Sequence, residues 1–467
     1  MPEHRLASVG ALTRRGTLPS MLGDGHRLGW VRSRSRLGRT VPRRALTGVA
    51  LAAACVGLVG CEPHDLVLDQ TYGGDGFADI SEQVSSISPH AFEVAGDGSI
   101  VTVLGGQLTR VLPNGTLDPT FNAVTPAGGA VRAAAIDASG RILTFQHGST
   151  SGQLTVRRFT ANGTPDPSFD GDGARTIALT YEGSPADVQS DHAGRIVVLF
   201  GNTPQPGPET TCQVLRLLPN GSVDPAFGGG LPVALDLPYS ISTGAGCNEL
   251  LVLDDDTLLV VDTDAGIARL SSTGAQLPYG PGPAAFLADS YDGIVDAALL
   301  PGGRIALGTS NYDSGDYRAM VAELTATGGL DPGFGTGGIA IVGFVDLSSA
   351  PNNLDYTRLS WLSTTPDGSL VAVAGHSTGV GVARWVDGHL DSGFGSAGRV
   401  LVEGPLPYPR DLSNPVTGGV AGDGTLYVIS NRQGALAPLS LVHLAAPPGS
   451  RPRASDVRGV LHRLPPQ

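Results

Sequence analysis

Seven short apolar runs recur along the chain, each opened by a turn: DGSIVTVLG (97–105), SGRILTFQ (139–146), AGRIVVLFG (193–201), DDTLLVVD (255–262), GGRIALG (302–308), DGSLVAVAG (367–375) and DGTLYVIS (423–430). The alternation in IVTVL or LYVIS predicts strands with one face turned inward. Asp-Gly and Asn-Gly supply the positive φ angles that two-residue hairpin turns need. The pattern therefore predicts an all-β chain built of hairpins.

A second phrase follows most of these strands: a run ending in Leu or Phe, a turn, then Leu-Asp-x-x-Phe. It reads RVLPNGTLDPTF (110–121), RRFTANGTPDPSF (157–169), LRLLPNGSVDPAF (215–227), ARLSSTGAQLPY (268–279), AELTATGGLDPGF (322–334) and ARWVDGHLDSGF (383–394). Its turn glycines, from Gly115 to Gly388, are 48, 58, 53, 54 and 60 residues apart. Periods of this length mark repeat architectures. After the seventh hairpin, LSLVHLAAPPG (439–449), no such phrase follows; an orphan stands at the start instead, as LDQTYGGDGF (68–77). A ring explains the displacement, because the first strand then completes the last blade. An open solenoid would need distinct caps instead. We expect a single β-propeller of about seven four-stranded blades over residues 66–446, closed by an N-terminal strand.

These phrases resemble the delta-60 repeat family, whose pattern is roughly LDxxFGxxG followed by DGKI-like strands. LDQTYGGDG, PDPSFDGDG and LDPGFGTGG carry the likeness best. The resemblance implies a β-propeller, often in exported proteins, with no shared set of catalytic residues. The fourth copy departs: Gln276-Leu277-Pro278-Tyr279 lacks the aspartate, which puts that blade's outer edge in question.

The composition agrees with turn-rich β structure. Gly 67 and Pro 35 far exceed ordinary usage in a chain of 467 residues. The formal charge of −13 is unevenly placed: residues 1–60 hold ten Arg against Glu3 and Asp24, so they carry +8 and the remainder −21. An acidic body with no basic stripe argues against nucleic-acid binding.

The segment PRRALTGVALAAACVGLVGC (42–61) has Arg43-Arg44, an apolar run and a small residue before Cys61. That is the layout of a secretory signal, and its apolar run is short for a membrane span. Leu58-Val59-Gly60-Cys61 resembles the bacterial lipobox, which implies lipidation of Cys61 and attachment to the cell envelope, in our expectation the outer membrane. Residues 1–40 read as an extension ahead of a start at Val41, 41–60 as the lipoprotein signal and 61–65 as a lipidated linker. Residues 447–467, rich in Pro and Arg, read as a disordered tail.

Cys55 leaves with the signal and Cys61 carries lipid, so Cys212 and Cys247 form a candidate disulfide in an exported domain. No Cys/His cluster has metal-ligand spacing, so neither metal nor cofactor is expected. GHSTG (375–379) matches a nucleophile elbow at Ser377, but a strand follows where that elbow needs a helix. DGDG (170–173), GGDG (73–76) and Asp254-Asp255-Asp256 lack the closing Glu of a calcium loop. Asn114, Asn162 and Asn220 stand in glycosylation-type sequons at a fixed repeat position, which reads as turn chemistry. The histidines are scattered. No catalytic residue is assigned.

Binding residues are sought where segments break the repeat, and Tyr291, Tyr312, Tyr317 and Tyr356 are the exposed-aromatic candidates. The expected function is a lipid-anchored binding or scaffolding module for a protein or glycan. The alternative is an exported hydrolase or lactonase with its site at the central channel. Inner strands such as HAFEVA (90–95) and RAAAID (132–137) offer few polar groups for that alternative.

Overall fold

The computed structural model describes residues 67–68, 72, 77–79, 92–104, 107–121, 131–149, 152–179, 183–202, 211–237, 247–263, 266–280, 286, 293–313, 316–344, 357–376, 379–403, 416–430 and 440–445. The segments read as extension, signal, lipidated linker and tail, with Cys61, lie outside them. Among the described residues no helix is long and apolar enough to cross a membrane.

The strands form seven antiparallel sheets among the described residues, six of four or more strands and one of three. Blade 1 comprises Phe92–Val94, Ile100–Leu104 and Gln107–Val111. Blade 2 runs Val131–Ile136, Ile142–His147, Gln153–Phe159, Ala174–Ala178, and blade 3 Gly183–Ser190, Ile196–Asn202, Thr211–Leu217, Val233–Ala234. Blade 4 is Cys247–Val252, Leu258–Asp262, Ile267–Leu270 and Gln276–Leu277; blade 5 is Asp296–Leu300, Arg304–Asp313, Asp316–Leu324 and Ile339–Val342. Blade 6 has Arg358–Thr364, Leu370–His376 and Gly379–Val386, with His389–Leu390 and Arg399–Glu403 both paired to the third strand. Blade 7 has Val416–Val420, Leu426–Ser430 and Ser440–Ala445.

The first strand of each blade packs against the first strand of the next, from blade 1 through blade 7 and back to blade 1. The ring is closed. Its seam lies in blade 7, where Val67–Leu68 and Phe77–Asp79 both pair with Ser440–Ala445, in the registers Val67↔Ala445 and Phe77↔Val442. The orphan phrase thus supplies the outer strands that the last hairpin lacks. Tyr72, between them in sequence, is buried and meets the Tyr427 ring edge-on at 5.9 Å.

Two expectations about local structure change. The second strands are buried on both faces: Ile196 through Phe200 are all at most 1% exposed. A blade is sandwiched between two neighbours, so both of its sides become core, at about 1.5–3 kcal/mol per large apolar side chain. The turns are also longer than two residues. In the blade 1 turn the Gly98 N–H reaches the Ala95 carbonyl and the Ala95 N–H reaches the Ser99 carbonyl. That is a three-residue loop ending on one positive-φ glycine, with φ 81° at Gly98. Asp97 and Asn114 do not adopt positive φ; their Oδ1 atoms cap the N–H two residues on, at 2.9 and 3.1 Å.

Leu-Asp-x-x-Phe is a folding device. In blades 1 to 3 the motif aspartate (Asp118, Asp166, Asp224) accepts from the Nε of an arginine eight residues earlier (Arg110, Arg158, Arg216) at 2.7–2.8 Å. Its second oxygen caps the backbone N–H two residues on, and the guanidinium lies 4.7–5.1 Å from the centre of the motif Phe ring (Phe121, Phe169, Phe227). Hydrogen bonds from Thr120 hold the Asp118 carboxyl down to about 2. Turns then dock on the preceding blade: the Asp170 N–H donates to the Asn220 carbonyl at 2.7 Å and Gly228 to Thr273 at 3.0 Å.

Blade 4 keeps the arginine, Arg269, and loses the acid, with Leu277 paired opposite it. Its outer strand forms nonetheless, over Gln276–Leu277. Arg269 turns to Asp255 and Thr257 at 3.3 and 3.2 Å, and its buried Nε has no hydrogen-bond partner.

Candidate functional site

The innermost strands carry more acid than their sequences suggested. Ser190, Val252 and Leu299 pair with Ile196, Leu258 and Ile305 just before or after the first turn of blades 3, 4 and 5. Three residues before each stand Asp187, Glu249 and Asp296, at one common level of the ring. Glu93 of blade 1 stands two residues nearer its own first turn, paired with Val101. Asp187 is buried; Glu93, Glu249 and Asp296 are half-buried.

These four carboxyl groups interact across the ring. Glu249 hydrogen-bonds Asp296 and feels the charges of Asp187 and Glu93. Blade 2 separates Glu93 from Asp187, so their electrostatic contact runs through the axial space rather than along a sheet. Desolvation, followed by the charge of Asp187, pushes the Glu93 carboxyl up to about 8. Burial likewise raises Asp187 to about 6 and Asp296 to about 7, and lifts Glu249 well above the ordinary carboxylate range. Like charges in a poorly solvated space hold protons near neutral pH.

Two of the acids also stitch blades together. Asp187 accepts the Leu250 N–H of blade 4 at 3.0 Å, and Asp296 accepts the Leu362 N–H of blade 6 at 2.6 Å. Asn248 donates to the Val295 carbonyl of blade 5 at 3.1 Å. Register shifts at Asn248 and Ser360 adjoin the strand edges that receive these bonds.

The expectation of a polar-poor channel is therefore corrected. HAFEVA itself contains Glu93, and aligning the seven inner strands on their turns would have put Asp187, Glu249 and Asp296 in one register. Among the described residues, no group of three or more His, Cys, Asp or Glu is arranged to hold a metal ion.

Of the aromatic candidates, Tyr312 and Tyr317 pair at the hairpin tip of blade 5, with ring centres 4.7 Å apart. Tyr312 is exposed, and the Arg358 guanidinium lies 5.7 Å from the Tyr317 ring centre. Tyr291, Tyr356 and Ser377 lie outside the described residues. Cys212, on the third strand of blade 3, is disulfide-bonded to Cys247 on the first strand of blade 4, with Cα atoms 5.6 Å apart. Asp172 caps its own turn, at the Ala174 N–H, while Asp256 contacts His192 and Arg195 of blade 3 at 3.0 Å each.

Residues 94–121 and 140–169 match the family model described as "Domain of unknown function (DUF5122) beta-propeller". The fold is a β-propeller. Both matches end on the motif phenylalanine, Phe121 and Phe169. No curated protein matches the chain.

Solved structures similar to this chain include enzymes and non-enzymes. A virginiamycin B lyase from Staphylococcus aureus is 13% identical, with TM-score 0.46 over 78% of this chain and 98% of that one. A gluconolactonase from Xanthomonas campestris is 15% identical, with TM-score 0.35 over 82% and 96%. A Nup133 β-propeller domain from Vanderwaltozyma polyspora is 11% identical, with TM-score 0.41 over 79% and 97%. At these identities the likeness is one of fold alone.

Proposed function

We propose that this chain is a lipid-anchored cell-envelope propeller that acts as a binding module, with its ligand site at the acid-lined axis. The anchor reading rests on Leu58-Val59-Gly60-Cys61. The convergence of Glu93, Asp187, Glu249 and Asp296 from four blades carries the site. Such a cluster favours a ligand that brings positive charge and hydrogen-bond donors, such as an amine or guanidinium group of a protein or amino sugar. The Tyr312–Tyr317 pair adds aromatic surface at one rim of the ring.

Calorimetry with spermidine and with tri-lysine, against tri-glutamate as control, tests the site. Binding of the cations alone, weakened at least tenfold by Glu249→Gln, is expected. No cation binding at pH 8, or equal binding by the variant, contradicts the site.

A second reading, an exported hydrolase or lactonase, is favoured by the Glu249–Asp296 hydrogen bond. A pair that shares a proton offers one acid and one base near neutral pH. Turnover of a lactone and ester panel that disappears in Glu249→Gln would move the assignment to this reading.

A further inference from the structure

The seam of the ring fixes where a lipid on Cys61 would hold the molecule. Five residues, Glu62 to Leu66, separate Cys61 from Val67. At full extension they reach about 20 Å. Val67 pairs with Ala445, the last residue of the third strand of blade 7, and the neighbouring Leu444 pairs with Leu426, the first residue of the second strand. Leu426 directly follows the first turn of that blade, closed by the Ala421–Thr425 hydrogen bond. The tether therefore joins the ring at the end that carries the first turns of the blades. The opposite end, with the hairpin tips and Tyr312, lies a full strand farther, about 20 Å.

We infer that a lipid bilayer is the partner of the turn-bearing end at blade 7, and that the end bearing the hairpin tips faces away from it. This rests on the anchor reading above. It makes the tip end, toward which Tyr312 and the Asp296 end of the innermost strand of blade 5 lie, the face on which a soluble ligand arrives.

Fluorophores on single cysteines test the orientation. Ala138→Cys in the first turn of blade 2 is compared with Ser149→Cys at its hairpin tip, and Pro366→Cys in the first turn of blade 6 with Tyr312→Cys; all four positions are exposed. The lipidated full chain is placed in phosphatidylethanolamine–phosphatidylglycerol vesicles containing a headgroup-nitroxide lipid. Quenching at least threefold stronger at Ala138 and Pro366 than at Ser149 and Tyr312 is expected. Lengthening the linker by twenty Gly/Ser residues should erase the difference. Equal quenching at both ends, stronger quenching at the tips, or a difference that survives the long linker overturns the inference. Intact mass separates the two readings. A mature chain without diacylglycerol on Cys61 removes the anchor and this inference together, whereas a lipidated chain with equal quenching overturns the orientation alone.

Discussion

The Asp296 carboxylate accepts the Leu362 backbone N–H at 2.6 Å, so a side chain of blade 5 holds the innermost strand of blade 6. Asp187 does the same for Leu250 between blades 3 and 4, at 3.0 Å. Innermost strands have a free edge toward the axis, and an N–H on that edge has no ladder partner. A carboxylate from the preceding blade satisfies it and fixes the angle between the two sheets. The same residues that gather charge at the axis thus also join the ring.

Removing either stitch should weaken the fold. Asp296→Ala leaves the Leu362 N–H unpaired and is expected to cost about 1–3 kcal/mol, as is Asp187→Ala with respect to Leu250. The Asn variants keep an acceptor and should cost less. Denaturant unfolding of the full chain checks this, and Ala and Asn variants of equal, wild-type stability would refute the stitching role.

Stability should fall as the solution becomes alkaline. Burial raises Glu93 to about 8, Asp296 to about 7 and Asp187 to about 6, so the folded state binds protons that the unfolded chain has already released. From about pH 4 upward the folded form holds more protons than the unfolded form, and stability drops as pH rises through these values. Asp118, held at about 2, acts in the opposite sense and loses its contribution only in acid. The melting temperature should be higher at pH 5 than at pH 8.5, by about 5 °C, and Glu93→Gln should flatten the difference. A melting temperature that climbs from pH 5 to 8.5 would contradict the buried cluster.

Blade 4 can be repaired. Leu277 occupies the place of the motif aspartate opposite Arg269, whose Nε is buried without a partner. Leu277→Asp should restore the pair seen at Arg216–Asp224 and add roughly 1 kcal/mol. In an Arg269→Ala background the same substitution should bring no gain. A double-mutant cycle of thermal unfolding with no coupling between the two positions would show that the missing acid is not the defect.

The repeat phrase announced the architecture because its physics is local. Asp118, Asp166 and Asp224 each bind an arginine eight residues back and cap a turn two residues on, so spacing alone records the contact. Displacement of LDQTYGGDGF to the chain start recorded the closure in the same way. The axial cluster was harder to see. Glu93, Asp187, Glu249 and Asp296 are scattered over two hundred residues, and each is the single acid of its strand. Only the ring brings them together, and only alignment of the inner strands on their turns shows that Asp187, Glu249 and Asp296 share a level. The burial of both faces of the second strands was also hidden, because alternation such as IVTVL reads the same whether one or two neighbours cover the sheet.

Closure of the ring is the claim on which the axis, the stitches and the seat of the tether all depend. Its most direct measurement is oxidative cross-linking of Val67→Cys with Ala445→Cys in the otherwise intact protein, read by peptide mapping. The register Val67↔Ala445 predicts an intramolecular disulfide between residues 67 and 445 in nearly every molecule. Two free thiols, or a link from residue 67 to a cysteine placed in blade 1 instead, would contradict the closed ring.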